Sequence, residues 1–282
     1  MKNKKEEPLV SLVMPVFNTD KRFLIEALES CLNQTYQNIE TIIVDDGSSN
    51  KDTLDVLSLY EKKEKTRVRV LHHKTNGGVS KALNTGIDNS TGEYIAISGS
   101  DDIPEPNWIA LQLEYLRKNR LSACGCLLRK IDSNGKVFGE YLFPLTNRKI
   151  IKTATVRTPL SAFALLTREM ALDLEFNESL SGSVDYDFWA RAIISKKYRL
   201  GNVPKFLFSY RYHNDNLCRS NKTNKKVALC SLQVKRLLFK NGYWSFAGIF
   251  VYAKILAWTL LPKPARSASL KLLRFFGLRY FG

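Results

Sequence analysis

The sequence has no CxxC pair, only three histidines, and not one acidic residue between Asn216 and Gly282. Its five cysteines (Cys31, Cys124, Cys126, Cys218, Cys230) are odd in number and lack the ligand spacing of zinc sites. That excludes a zinc ribbon and a disulfide framework, and the thiols read as reduced and mostly buried. Cys124-Gly125-Cys126 has no histidine near it and reads as packing. No GxxxxGK[ST] is present, which excludes a P-loop nucleotide site. The first eight residues are charged and the apolar run behind them is cut by Pro15, so a cytoplasmic start without an ordinary signal peptide is expected. Internal repeats and low-complexity tracts are absent.

What is present is a long, unevenly charged α/β pattern. At 282 residues and 44% apolar content the chain can build one large domain and an appendage. Of the formal charge of +16, thirteen Lys or Arg lie in residues 216–282, leaving +3 for residues 1–215. A nearly balanced body argues against a nucleic-acid groove across the main fold, and the basic, aromatic-rich end points to an anionic surface.

Apolar runs and helical spacings alternate along the first 120 residues. Strands are predicted at Leu9 to Val16, Ile39 to Val44, Arg67 to Leu71 and Glu93 to Ser98, with helices over Phe23 to Leu32, Asp52 to Glu64, Ser80 to Asp88 and Trp108 to Arg120. This alternation predicts a mostly parallel sheet with helices on both faces. Beyond Leu121 come a hairpin turn at Asp132-Ser133-Asn134-Gly135, strand-like runs at Leu160 to Leu166 and Phe206 to Tyr212, and a helix carrying Val184 to Trp189. Asn214 to Lys226 reads as the nearest thing to a linker. Domains are expected at 1–215, divided near residue 120 into a ligand-binding half and a half that receives a second substrate, and at 216–282, a basic, aromatic-rich tail of amphipathic helices.

Two strand predictions end in paired acids: Val44 in Asp45-Asp46-Gly47-Ser48 and Ile97 in Ser98-Gly99-Ser100-Asp101-Asp102. An Asp-Asp pair alone is an ordinary loop or cap feature. Two pairs at the C-terminal ends of strands of one sheet can converge on a crevice, and paired acids there suit a hard cation and a phosphate. Asn76-Gly77-Gly78 before a helix lets backbone approach a ligand, with Lys81 available to offset negative charge. His72-His73 reads as edge-strand surface.

Met14-Pro15-Val16-Phe17-Asn18, Val44 to Ser48, Asn76 to Asn84 and Gly92 to Asp102, in that order, resemble the nucleotide-sugar domain of GT-A fold glycosyltransferases of family 2. The resemblance is strong over residues 9–120 and weaker over 180–213. It implies an inverting enzyme that uses a nucleotide sugar, with UDP the expected nucleotide and Mn2+ or Mg2+ the expected cofactor. The acceptor it implies is a lipid-linked or polysaccharide chain of the bacterial surface. Implied donor-site residues are Pro15, Phe17, Asn18, Asp46, Lys81 and Asp101, with Phe17 stacking on the base and Asp46 accepting from its ring N–H. The family's Asp-x-Asp-Asp appears here as Gly99-Ser100-Asp101-Asp102, so Asp102 is the implied metal ligand. His213, in Tyr210-Arg211-Tyr212-His213, is its implied partner. Asp185 resembles the family's base, with Val184 where an acid is usual; Asp187 competes for that role, and Trp189 either faces the acceptor or sits in the core.

The end of the chain is read separately. Tyr243 to Leu261 carries a single charge, Lys254, and is followed by a basic amphipathic stretch from Arg266 to Phe281. Aromatics at its front and basic residues behind it favour a helix lying in the headgroup plane, hence peripheral attachment to the inner face of the plasma membrane, over the alternatives of a bilayer span, which its nineteen residues permit, and a helix packed on the body. Two other readings compete: a non-catalytic basic protein binding nucleic acid or anionic lipid, and a sugar nucleotidyltransferase on a related scaffold. The acidic strand ends oppose the first, since they repel phosphate unless a cation intervenes. Near the first strand the Gly-rich, Arg-containing signature of the second is missing.

Overall fold

The computed structural model of the chain describes residues 7–213, 224–262 and 264–266. β1 (Val10–Val16) is almost wholly buried, as its unbroken apolar run predicts for a strand covered on both faces. It pairs in parallel with β2 (Ile39–Asp45) on one side and with β4 (Tyr94–Ile97) on the other, and β2 pairs in parallel with the edge strand β3 (Val68–His72). The crossover helices are α1 (Lys21–Leu32), α2 (Lys51–Lys63) and α3 (Val79–Asp88). Local chemistry starts the first two: Asp20 Oδ1 accepts from Arg22 N and Asn50 Oδ1 from Asp52 N, each at 2.9 Å. Such caps contribute about 1 kcal/mol each.

The second half adds β5 (Ile103–Pro104), α4 (Trp108–Lys118), β6 (Ala123–Ile131), β7 (Val137–Tyr141), α5 (Asn147–Thr153), β8 (Leu165–Thr167), α6 (Arg168–Leu174), α7 (Val184–Ser195) and β9 (Leu200–Arg211). Among the described residues the sheet order is β3-β2-β1-β4-β8-β6-β9-β5, with β7 paired to β6. The parallel character holds through β4 and then becomes mixed, because β8 runs antiparallel to both β4 and β6. The β6–β7 hairpin forms where the sequence signals it, with Asp132 Oδ1 accepting from Asn134 N and Lys136 N.

Two predicted strands differ in extent. Leu160 to Phe163 are largely buried but outside the sheet ladder, so most of that apolar run is core-filling loop and only its end pairs, Ala164 O accepting from Ile97 N at 3.1 Å just before β8. Pro159, which opens the run, cannot donate to a ladder. β9 starts six residues before the predicted run. Its pairing with β6 jumps from Val203 to Phe206, a bulge at Pro204 that hides the strand's first half from a periodicity reading.

The two faces of the sheet carry separate cores. Val10, Leu12, Met14 and Val16 join α1, α2 and α4 on one face, while Val13, Ile95 and Ile97 join α3, α6 and α7 on the other. Residues 224–226 of the predicted linker begin a helix, α8 (Asn224–Lys240), whose Val234 and Leu238 enter the second core; Asn214 to Thr223 lie outside the described residues. A further helix, α9 (Phe246–Leu260), packs Ile255 and Trp258 on Ala228 and Leu232 of α8. Cys31, Cys124, Cys126 and Cys230 are free and buried, as expected; Cys218 lies outside the described residues.

Candidate functional site

The register of the parallel block sends the loops after β1, β2 and β4 out of one sheet edge, with Val16 opposite Asp45 and Val13 opposite Ile97. Hydrogen bonds join the three loops. Asp46 N donates to Val16 O at 2.8 Å, Ser98 N donates to Val13 O at 3.1 Å, and the hydroxyls of Thr19 and Ser100 are 2.7 Å apart. In an open α/β sheet this carboxyl edge is where ligands bind.

On the β1 side, Pro15 pairs with Val44 inside the sheet, and the Phe17 ring just past the strand is 48% exposed. An exposed aromatic ring at a strand end is an available stacking face. Asn18 has a positive φ of 48°, and its Oδ1 accepts from Ser49 N and Asn50 N at 2.8 Å. It thereby fixes the turn bearing Phe17 to the start of α2.

Asp46 is nearly inaccessible and highly engaged. Its Oδ1 accepts from Gly77 N at 2.9 Å and lies 2.7 Å from His73 Nδ1, and its Oδ2 accepts from Gly78 N at 2.7 Å. A carboxylate has about four acceptor positions, so one remains for a ligand. Gly78 has φ +91°, a conformation that favours glycine, and it sets the first turn of α3. Lys81 in that turn is exposed, and its side chain folds against Gly77. The expectation that His72-His73 is edge surface holds for His72 only, whose ring is half exposed beside Asp45. His73 corrects it: it is largely buried between Asp46 and Thr85, with its Nε2 3.0 Å from Thr85 Oγ1.

After β4 the acidic pair turns inward. Asp102 is 2% exposed, and its Oδ1 accepts from the backbone N of Arg211 at 2.7 Å. The pairing of Ile103 with Ser209 creates this approach by laying the acidic loop beside the end of β9. Desolvation, then the neighbouring Asp101 carboxylate, raise the Asp102 carboxyl well above the usual range. Asp101 Oδ2 lies 2.7 Å from His213 Nε2. Gly99 also has a structural reason: a Cβ there would sit 2.4 Å from Asp102 Oδ2, in the space the carboxylate occupies.

Arg211 holds these pieces together, a role that sequence reasoning missed. Its guanidinium is buried 4.5 Å from the Phe23 ring, donates to Asp101 O at 2.8 Å and pairs with Glu26 of α1. The only signal was its place in the Tyr210-Arg211-Tyr212-His213 segment, which does not reveal burial.

Among the described residues no group of three or more His, Cys, Asp and Glu is arranged to hold a metal ion by itself. Asp101 and Asp102 nonetheless fit a hard divalent cation, since both are oxygen donors and an ion there would stabilise the ionised form of Asp102 that burial and the neighbouring carboxylate disfavour. The cation's other ligands would then come from a bound phosphate.

At α7, Val184 packs against the core of the sheet face that Val13, Ile95 and Ile97 enter. Asp185 is half buried and has no side-chain partner among the described residues; desolvation raises its carboxyl above the usual range. Asp187 is ion-paired to Arg191 at 2.7 Å, and Arg191 also donates to Leu174 O and Glu175 O. Trp189 is 1% exposed in the core, with no ring face open to a ligand.

The sequence profile described as Glycosyl transferase family 2 matches residues 11–174. An uncharacterised glycosyltransferase of Methanocaldococcus jannaschii is 30% identical over 263 residues, covering 90% of this chain and 89% of that protein. Chondroitin synthase of Escherichia coli is 33% identical over 214 residues, covering 75% of this chain and 30% of that longer protein. Among solved structures, S. aureus TarS 1–349 in complex with UDP-GlcNAc superposes with a TM-score of 0.63 at 20% identity, covering 80% of this chain and 66% of that one. The mannosyltransferase PcManGT from Pyrobaculum calidifontis, in complex with GDP-Man and Mn2+, gives 0.66 at 18% identity, covering 96% and 76%. The shared architecture is the GT-A fold.

Proposed function

This chain belongs to glycosyl transferase family 2, and from that membership we propose that it is an inverting hexosyltransferase moving a sugar from a UDP-sugar to a lipid-linked or polysaccharide acceptor. The observation that carries the reading is the convergence at one sheet edge of an exposed ring, an anchored Gly-Gly turn and an acid pair whose Asp102 is buried. The UDP-GlcNAc in the similar TarS structure favours a uridine donor.

In this mechanism Phe17 stacks on the base and the remaining acceptor position of Asp46 takes the ring N–H. Pro15 and Asn18 hold the turn that presents Phe17. Lys81 faces the diphosphate at the α3 N-terminus, where helix polarity also favours an anion. Asp102, with Asp101 and His213 alongside, would hold a divalent cation, Mn2+ or Mg2+, which would supply charge neutralisation for the departing diphosphate. Asp185 is the base: its raised proton affinity suits removal of the acceptor hydroxyl proton. The acceptor oxygen bonds to the anomeric carbon as the bond to the diphosphate breaks, the proton goes to Asp185, and UDP leaves. A single displacement inverts that carbon. Asp187, engaged by Arg191, fixes the loop before α7 and is not the base in this scheme.

The test is UDP release from a donor panel. Asp185→Asn and Asp102→Ala should each lower kcat by about 10²-fold or more, the usual size of a general-base or charge-stabilising contribution. Undiminished turnover in both would discard the mechanism.

A further inference from the structure

We infer that the outer face of the α8–α9 hairpin docks flat on an anionic lipid bilayer. Helices at a protein surface ordinarily present a polar outer face, and α9 does not. Its inner side, with Gly248, Ile255, Trp258 and Thr259, is buried against the body. Its outer side carries Phe246, Ile249, Phe250, Ala253, Ala257 and Leu260, all exposed. At 100° per residue these six fall in a sector about 100° wide. Phe246 is 95% exposed and Phe250 72%, and Trp244 in the preceding turn adds an indole that is 65% exposed. Lys254 lies at the edge of the sector, and Lys240 is exposed just before the turn.

The hairpin is held rigidly enough to present this face. Thr155 Oγ1 lies 2.9 Å from Ser245 Oγ, Tyr243 OH donates to Ile193 O at 2.9 Å, and a Cβ at Gly248 would strike Thr155, so the start of α9 is seated closely on the body.

Charge selects the occupant. Residues 216–282 contain thirteen Lys or Arg and no acid. A second copy of the chain would bring the same unbalanced charge against itself, whereas an anionic leaflet attracts each nearby basic residue by about 1 kcal/mol. The aromatic groups then enter the interface and the cations meet headgroups. α9 has 15 residues, about 22 Å of helix, against ~30 Å of hydrocarbon. Among the described residues no helix is long and apolar enough to cross a membrane, so the helix lies on the surface.

The experiment is flotation of the full chain with vesicles of phosphatidylcholine alone or mixed with phosphatidylglycerol, with UDP binding measured in parallel as a control on folding. Wild type should float with the mixed vesicles at low salt and be released at roughly 0.5 M salt, where surface charge is screened within a few ångströms. The Phe246→Ser/Phe250→Ser variant should lose at least tenfold in partitioning while keeping UDP binding. Lys240→Glu, which leaves the apolar face intact, should lose severalfold. Wild type staying off the mixed vesicles, or the double variant binding as tightly, overturns the inference. A dimer that becomes a monomer in the double variant, seen by light scattering, assigns the face to a second copy and overturns it too.

Discussion

Replacing Gly99 by alanine would set a methyl carbon 2.4 Å from where Asp102 Oδ2 now lies. The Asp102 side chain is the part able to yield, so its bond from Arg211 N should be lost with little change in melting temperature. Activity is expected to fall about tenfold, equivalent to about 1.4 kcal/mol of transition-state stabilisation; an unchanged kcat/KM would mean that the carboxylate position does not matter. Phe17→Ala removes the exposed ring and should weaken UDP binding by roughly 1–3 kcal/mol, the typical worth of a base stacked on an aromatic. Calorimetry checks this, and KM should rise more than kcat falls. Asp185 must be ionised to accept a proton, so its raised carboxyl should move the acid limb of the kcat–pH profile above the ordinary aspartate range. A limb at the value of an exposed aspartate would count against it. Residue identities at the edge were legible because Asp46, Asp102 and Phe17 stand in short local motifs. His73 and Arg211 were not, since what gives them roles is contact with Asp46 and with Asp101 and Glu26, far away in sequence.

At the scale of elements, strands buried on both faces announce themselves as unbroken apolar runs, and β1, β2 and β4 fell where those runs predict. The sequence misleads where a proline shifts a ladder, as at Pro204, or where apolar residues fill a core outside any ladder, as from Leu160 to Phe163. α8 lies inside the span expected to be helical, but its inner face was hard to read for another reason: it includes Lys235, a residue that ordinarily marks solvent. That ammonium is buried, donating to Thr155 O at 2.8 Å and Val156 O and Tyr186 OH at 3.2 Å, and so ties α8 to the start of α7 beside Asp185. Burial pushes its pKa down to about 7, whereas the unfolded chain keeps the proton to about pH 10. Between those values the unfolded state binds more protons, so this group makes stability rise with pH from 7 toward 10, and its desolvation cost is fully present below 7. Melting temperature measured across that range should climb in wild type and climb less in Lys235→Met; identical slopes would place the lysine outside the linkage.

At the scale of the whole molecule, one sheet edge gathers the residues of the proposed donor site while the α8–α9 hairpin presents a separate apolar and aromatic face. The order of the four motifs made the first legible, because parallel strands place their carboxyl ends together whatever lies between them. The second half was less legible because its pairings are long-range and mixed in direction. The central claim is that Asp102 joins a donor's diphosphate through a divalent cation, and calorimetric titration of UDP with and without Mn2+ tests it most directly. Wild type should bind UDP at least tenfold more tightly with Mn2+, and Asp102→Ala should lose that gain while keeping the weaker metal-free affinity. Equal affinity with and without the ion in wild type, or a full Mn2+ effect in Asp102→Ala, would contradict the claim.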